Sequence, residues 1–568
     1  MEATLPRRSV LPMFKRPQVW LTNRENLLFL ALVVIHLMPL WTYHHFPSQD
    51  GPAHLANAAI LNEYHEPDRS TLREYYVLND RFTPNWAGHL ILAGLMALMA
   101  PSLAEKVFLS GYVILLPLAI RYAVTAIRQD SAFLALLGFP FVYNYALHMG
   151  FYSFSYSLAM FFFFSGYWLK HRERFGVRET VTLAALSLLL FFGHIVSTVA
   201  AALEIVLMTM WLMVPELARQ LRRRRFSLRS LYAAPMLKPL CALVPTIVLF
   251  LLFLVQNRQR SYVSWEDKPP PWTMVKDLLS LHSLVSYEQR EVWVARAVAG
   301  LFVGIVVYLL LSRRVPLRPA FWNGFALLAV LYGLIYLIGP SAVGSGSYIH
   351  DRMSLYPFLT LIIWFAPQSY GPIARRAIRV LAIALAGVLL GIHSLKYGEL
   401  NDYIAEYLSA SPHIEPNTTL LPIAFSQRGD APDRRPLSSR INVFLNAAGY
   451  IAAERHTVDL SNYEASQTHF FPTVFRPSLN PTVFLGYSPL DSASGEWKGL
   501  PTELLSFPQR TGGRIDYVLL WGVRERDRER QIPKLIFRQL EEGYDLVTTS
   551  PQRGLMQLYR RKGLKTAS

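Results

Sequence analysis

Long apolar runs separated by short basic blocks constrain this chain more than any other feature of its sequence. The runs are about 17 to 22 residues long, the length at which an α-helix crosses the hydrocarbon core of a bilayer. Charged residues are rare inside the runs, 52% of the 568 residues are hydrophobic, and the mean hydropathy is +0.24. The sequence therefore predicts a polytopic α-helical membrane protein with about 11 to 13 membrane helices, and it excludes an ordinary soluble enzyme.

The net charge of +17 would usually suggest nucleic-acid binding, but the positions of the charges argue against it. Much of the excess lies in short loops between apolar runs, and basic residues in such loops mark the cytoplasmic side of a membrane protein. These blocks are Arg7, Arg8, Lys15 and Arg16; Arg219 and residues 222–225; Arg313, Arg314 and Arg318; and Arg375, Arg376 and Arg379. We therefore expect membrane lipids, and no nucleic acid, as partners.

This orientation divides the chain into three parts. No small-residue cleavage site follows the first apolar run, Asn26 to Tyr43, so we expect that run to remain as an anchor. Because the tail is turn-rich, charged and strand-like, it predicts a soluble α/β domain of roughly 170 residues. The parts are a cytoplasmic leader (1–25), a transmembrane domain (26–395) with outside loops 44–85 and 257–290, and an extracytoplasmic α/β domain (396–568).

Several local patterns add detail to these parts. In the first outside loop, Ala53 to His65 and Ser70 to Leu78 have the pattern of amphipathic helices lying in the membrane interface. Trp86 to Ala100 is a short run interrupted by His89, and we expect it to be re-entrant or tilted. In the tail, the pattern predicts strands at Thr419 to Phe425, Tyr517 to Trp521, Asp545 to Thr549 and Leu555 to Arg560, and a helix at Pro533 to Glu542.

The stretch from Phe46 to Asn57 follows directly on the first predicted span. Gly51-Pro52 indicates a turn, and Asp50 lies just ahead of a helix start, where a carboxylate is favoured. Two interpretations remain open at this point: Asp50 is only a helix cap, or it is a functional group at the membrane surface.

Other polar residues fall at the same predicted depth as Asp50. Polar groups near membrane spans are costly unless they face an interior, water or each other, so as a set they favour a shared outward-facing site. Taken singly, each is compatible with an ordinary place among the lipid head groups. The set is Asp50, His54, His148, His194, His350, Asp351 and Arg352. Glu204, inside an apolar run, is expected to be neutral or paired, and a structural hydrogen bond explains it better than a catalytic role.

In the arrangement of these residues, the chain resembles the GT-C superfamily of integral-membrane glycosyltransferases. Within it, the chain is most similar in layout to the protein mannosyltransferases, aminoarabinose transferases and rhizobial lipopolysaccharide glycosyltransferases. The resemblance rests on the basic leader, the first span, Asp50 at the head of the first outside loop, the later basic and aromatic loops, and a tail on the same side as Asp50. Members of the family often carry an acidic pair after the first span, and here Gln49-Asp50-Gly51 supplies one acid.

The resemblance implies an inverting transfer of a sugar from a polyprenyl-phosphate donor to an extracytoplasmic acceptor, such as a glycan, lipid or protein. It also implies a place in a bacterial inner membrane with the site on the periplasmic side. Asp50 would be the base, or would orient the acceptor or a metal. Arg352 would hold the departing phosphate, with Arg81 and Lys268 as weaker candidates.

A divalent metal ion is a further expectation from the same residues. His54 lies four residues after Asp50 and so lies near the same helix face. Together with His194 or His350 it could ligate a metal, and a carboxylate with histidines suits zinc or manganese.

Two other functions stay open from the sequence. A transporter or flippase of a lipid-linked saccharide would show matching broken helices in two halves, with polar residues at the midplane of the membrane. A non-catalytic scaffold would use its outside domain only to bind a partner.

Overall fold

The computed structural model describes residues 24–81, 83–222, 237–256, 263–265, 268–312, 321–343, 346–433, 435–466, 470–485 and 499–564. Several predicted features therefore lie outside the described residues. They are leader residues 1–23, the basic residues 223–225, Arg313, Arg314 and Arg318, and the segments 257–262 and 266–267 of the second outside loop.

The first two thirds of the chain form a helical membrane domain, as the apolar runs predict. Its helices are α1 (Arg24–Thr42), α2 (Gly51–Glu63), α3 (Ser70–Tyr75), α4 (Ala87–Met96), α5 (Pro101–Ile127), α6 (Tyr145–His148), α7 (Tyr152–His171), α8 (Val177–Gly193), α9 (Ile195–Arg222), α10 (Leu237–Ala242), α11 (Val244–Gln256), α12 (Pro271–Leu279), α13 (Gln289–Leu311), α14 (Asn323–Ile338), α15 (Ile349–Met353), α16 (Tyr356–Phe365) and α17 (Pro372–Leu408). Short strands β1 (Tyr76–Leu78), β2 (Val263–Ser264) and β3 (Ala342–Val343) lie in its loops.

Among the described helices, α1, α5, α9, α13 and α17 are long and apolar enough to cross a membrane. Several other predicted runs are shorter or broken. The run after the first outside loop forms α4, whose 10 residues span about 15 Å, half of a bilayer core of ~30 Å. The run predicted at Ala132 to His148 forms a 3₁₀-helix, Gln129–Phe141, followed by the short α6.

The tail is an α/β unit built on a five-stranded mixed sheet. Its elements are β4 (Thr419–Ala424), α18 (Ala448–Arg455), β5 (Val458–Asp459), α19 (Tyr463–Ser466), β6 (Thr473–Phe475), α20 (Pro481–Phe484), α21 (Phe507–Thr511), β7 (Tyr517–Trp521), α22 (Glu525–Arg528), α23 (Gln531–Gly543), β8 (Tyr544–Thr549) and β9 (Met556–Arg561). The strand order is β5-β4-β7-β9-β8, with β4 parallel to β5 and β7, and with β9 antiparallel to its neighbours. The four predicted strands and the predicted helix are confirmed within two residues.

The helix α2 corrects the prediction of an interfacial amphipathic helix at Ala53 to His65. Every residue from Gly51 to Ile60 is buried, so α2 has no face for lipid head groups. It packs against α4 of the membrane domain on one side and against α18 of the tail on the other. The second predicted helix, Ser70 to Leu78, ends at Tyr75, and its last three residues form β1, which pairs antiparallel with β6 of the tail.

The membrane domain and the tail are therefore joined through two connections. The helix α17 continues past Lys396 without a break to Leu408, and the first outside loop is paired with the tail through β1 and β6. The predicted hydrogen bond of Glu204 is confirmed, because Ser165 Oγ donates to its carboxylate at 2.5 Å.

Candidate functional site

The segment between α1 and α2 holds Asp50 against the turn that precedes α7. The backbone N–H of Asp50 donates to the carbonyl of Met149 at 3.1 Å. Gly150 has φ +82°, and a Cβ at that residue would lie 2.7 Å from the Asp50 nitrogen, so this close approach requires glycine. Asp50 occupies the N-cap position of α2 but its side chain makes no capping hydrogen bond. The interpretation of Asp50 as only a helix cap is therefore wrong.

The tail and the neighbouring residue supply the partners of the Asp50 carboxylate. Asn446 Nδ2 donates to Asp50 Oδ1 at 3.0 Å, Gln49 Nε2 donates to the same oxygen at 3.2 Å, and the Tyr463 side chain also hydrogen-bonds the carboxylate. Burial raises the pKa of Asp50 to about 6, although the nearby His54 and the hydrogen bonds from Gln49 and Tyr463 act to lower it. A carboxyl group with such a pKa is suited to accept a proton near neutral pH.

His54, one turn into α2, lies next to two buried residues that are distant from it in the sequence, His89 and Glu464. His54 Nδ1 lies 2.6 Å from one oxygen of Glu464, and His89 Nε2 lies 2.9 Å from the other. Burial alone would raise the pKa of Glu464, but the two histidines outweigh it and lower that pKa to about 2. Burial alone would lower the pKa of His54, but Glu464 and Asp50 outweigh it and raise that pKa. His54 and Glu464 therefore act as a buried ion pair.

The same three residues can hold a divalent metal ion. Their ligand atoms all lie within 4.8 Å of one another, and two histidines with one carboxylate form a known zinc ligand set. Metal-ligating histidines usually donate their other ring N–H to a carbonyl or carboxylate, and His54 Nε2 lies 2.8 Å from the Gly150 carbonyl. Glu464 is also held from behind, because Asn57 Nδ2 donates to it at 2.8 Å.

Arg352 lies on the Asp50 side of the membrane domain, in α15. Its guanidinium carbon is 3.7 Å from the ring centre of Phe151, and it donates to the Ser347 carbonyl. Burial lowers the pKa of Arg352 to about 10, while Asp351 and Asp50 act to raise it, so the group stays cationic at neutral pH. Its Nε is buried and has no hydrogen-bond partner among the described residues, which leaves a donor for an anion.

The other predicted site residues have partners other than Asp50 and His54. Arg81 and Lys268 donate to backbone carbonyls near the ends of helices, Arg81 to Gln256 at 3.5 Å and Lys268 to Leu337 at 3.3 Å. His194 accepts the N–H of Val196 at 3.2 Å, and His350 pairs with Asp351 at 3.1 Å. Of the predicted catalytic and phosphate-binding residues, His54 and Arg352 thus lie within electrostatic range of Asp50.

Four residues of this site were missed by the sequence reasoning. Asn446, Tyr463 and Glu464 come from the tail, and they stand in no motif that marks them. His89 had a signal, because it interrupts an apolar run, but the sequence does not show which partner it faces.

No family model and no curated protein matches the sequence of this chain. Its structure is similar to the crystal structure of ArnT from Cupriavidus metallidurans bound to undecaprenyl phosphate. The two chains are 12% identical, the TM-score is 0.51, and the similarity covers 95% of this chain and 99% of that chain. The similarity extends over the membrane domain and the tail together, so this chain shares the fold of that ArnT structure.

Proposed function

We propose that the protein is a membrane glycosyltransferase that moves a sugar from a polyprenyl-phosphate donor to an acceptor on the Asp50 side of the membrane. The observation that carries this proposal is the buried Asp50 carboxylate, with its raised pKa, in the electrostatic range of the cationic Arg352. The undecaprenyl phosphate bound to the structurally similar ArnT supports the class of donor.

Asp50 is the base in the proposed reaction. The acceptor hydroxyl gives its proton to the Asp50 carboxylate while its oxygen forms a bond to the anomeric carbon of the sugar. The bond from that carbon to the phosphate oxygen breaks on the opposite face, and its electron pair leaves with the phosphate, so the configuration inverts. A positioned base contributes about 10²- to 10⁴-fold to such a step.

Arg352 is suited to hold the departing phosphate. A guanidinium binds phosphate oxygens through several parallel N–H donors, and its charge stabilises the negative charge that develops on the leaving group. The aromatic rings of Phe151 and Phe154 fix its position from one side. A phosphate group of the sugar donor within reach of the buried Arg352 Nε would accept the hydrogen bond that this nitrogen lacks among the described residues.

We further propose that His54, His89 and Glu464 bind a divalent metal ion, with zinc as the best match to the ligand set. When bound, the ion would supply positive charge close to Asp50, where the acceptor and the phosphate meet. The protein's own part is to hold two of the three ligands by hydrogen bonds, His54 through the Gly150 carbonyl and Glu464 through Asn57.

A flippase for a lipid-linked saccharide is the second candidate, but the placement of polar residues favours it less. The polar cluster gathers at one end of the membrane domain, where the tail closes over it, whereas an alternating-access site lies near the bilayer midplane.

The test is Asp50→Asn in the full-length protein, reconstituted in vesicles with polyprenyl-phosphate sugars. Asn can still accept from Asn446, so the fold should be retained, but it cannot take a proton. We expect sugar transfer to fall at least about 10²-fold, measured as radiolabelled sugar moved to an acceptor lipid or glycan. The matched control is Asp68→Asn in the same outside loop, whose carboxylate pairs with Arg69 at the surface. Transfer by Asp50→Asn at the rate of the Asp68→Asn control would refute the proposal.

A further inference from the structure

A second cluster of charged residues lies at the opposite end of the membrane domain from Asp50. It surrounds a cavity of about 200 Å³ between α1, α5, the 3₁₀-helix and α17. The charged lining residues are Arg24, Glu25, Arg121 and Arg379, and the apolar ones are Leu28, Phe29, Ala132, Phe133 and Leu136. We call it the basic pocket.

The direction of the helices separates the basic pocket from the Asp50 site. The helix α1 begins at the pocket with Arg24 and ends at Thr42, shortly before Asp50. Its 19 residues rise by about 28 Å, close to the thickness of a bilayer core. The pocket therefore lies at the level of the lipid head groups of the other leaflet.

The charges of the basic pocket do not cancel. Three guanidinium groups and one carboxylate line the cavity, and Glu25 forms an ion pair with Arg379.

Two of the three arginines, Arg121 and Arg379, are held by packing against aromatic rings. Arg121 is only 8% exposed, its guanidinium lies 4.8 Å from the ring centre of Phe29, and it donates to Asn26. The guanidinium of Arg379 lies 5.5 Å from the ring centre of Phe133. A preorganised pair of guanidinium groups matches the oxygens of a phosphate.

We propose that the basic pocket binds the phosphate head group of an anionic membrane lipid. Basic pockets between membrane helices near the head-group level bind such lipids. The apolar side of the pocket favours a lipid over a free phosphate, because Leu28 is 41% exposed on the lipid-facing side of α1 and offers a surface to an acyl chain. This site is separate from the proposed transfer reaction and does not depend on it.

The test measures lipid binding to the full-length protein in detergent by native mass spectrometry. The probes are phosphatidylglycerol, phosphatidylcholine and inorganic phosphate, each titrated alone and in competition. We expect phosphatidylglycerol to bind more tightly than phosphatidylcholine and to resist displacement by inorganic phosphate. In Arg379→Gln and Arg24→Gln the affinity for phosphatidylglycerol should fall about tenfold each, the effect of losing one charge-assisted contact.

The matched control is Arg376→Gln, which removes the same charge from the same end of α17 but outside the pocket. It should leave the affinity within a factor of two or so of the unmodified protein. Equal binding of the two lipids, or equal losses in Arg379→Gln and Arg376→Gln, would overturn the proposal. Displacement of the lipid by millimolar inorganic phosphate would overturn the assignment to a lipid and reassign the pocket to a soluble phosphate.

Discussion

At the scale of single residues, the environment of Asp50 depends on side chains from three separate parts of the chain. Gly150 allows the backbone of residues 148–150 to lie against Asp50, Asn446 binds its carboxylate, and His54 with Glu464 adds a buried ion pair nearby. Each of these groups changes the charge or the position of Asp50, so a substitution at any one of them acts on the proposed reaction through Asp50.

The metal proposal makes a prediction at this scale. Glu464→Gln removes the only carboxylate of the three-ligand cluster, so the purified full-length protein should lose its bound zinc. We expect about one zinc per chain in the unmodified protein, and at least a tenfold fall in affinity in Glu464→Gln. Inductively coupled plasma mass spectrometry of the protein after dialysis measures the metal content directly.

The control for this substitution is Glu63→Gln in α2, the helix that carries His54; Glu63 pairs with His456 and Arg69 away from the cluster. It should keep the metal. A metal content that is equal in both variants, or absent from the unmodified protein after refolding with zinc, would rule out a zinc site.

At the scale of elements, α2 links the membrane domain to the tail. It is buried along most of its length, between α4 and α18, and its polar side chains are bonded across the boundary. The backbone of α18 comes so close that a Cβ on Gly449 would lie 2.2 Å from the carbonyl oxygen of Pro52. Because that contact is with backbone, no side chain can move aside to relieve it.

Gly449→Ala should therefore push α18 away from α2 and lower the stability of the folded protein by about 1–3 kcal/mol. The midpoint of thermal unfolding in detergent, followed by tryptophan fluorescence, should fall by a few degrees. Gly391→Ala in α17 is the matched control, because a Cβ there meets nothing within 4 Å, and we expect its midpoint to be unchanged or slightly raised. A midpoint for Gly449→Ala at or above that of the control would contradict the close contact.

At the scale of the whole molecule, the tail contributes side chains to the candidate site. It carries Asn446, Tyr463 and Glu464 to Asp50, and Arg553 of the tail pairs with Glu406 of α17 at 3.0 Å. These contacts require the tail and the first outside loop to lie on the same side of the membrane, while Arg376 lies near the other end.

The orientation predicted from the basic blocks can be measured with single cysteines in spheroplasts of the bacterial host used for expression. In a Cys241→Ser background, Glu66→Cys and Glu529→Cys should react with a membrane-impermeant maleimide without permeabilisation. Arg376→Cys should react only after the membrane is permeabilised. Labelling of Glu66→Cys and Glu529→Cys from opposite sides would contradict the structure, and the reverse pattern for all three would invert the predicted orientation.

The sequence by itself determined the membrane class, the strands of the tail and the place of Asp50 at the end of the first span. These features depend on local patterns: the length of an apolar run, the alternation of residues in a strand, and the turn at Gly51-Pro52. The sequence could not show that α2 is buried on every side from Gly51 to Ile60, because a run of small and apolar residues fits an interfacial helix and a buried one equally well.

Only the tertiary structure decided which groups meet at the site. Asn446 is 396 positions from Asp50 in the chain, and Glu464 is 375 positions from His89. No local pattern encodes such a pairing, since it arises from the packing of the tail onto α2 and α4. The chemistry of Asp50 therefore follows from a burial and a set of neighbours that exist only after the two halves of the chain have folded together.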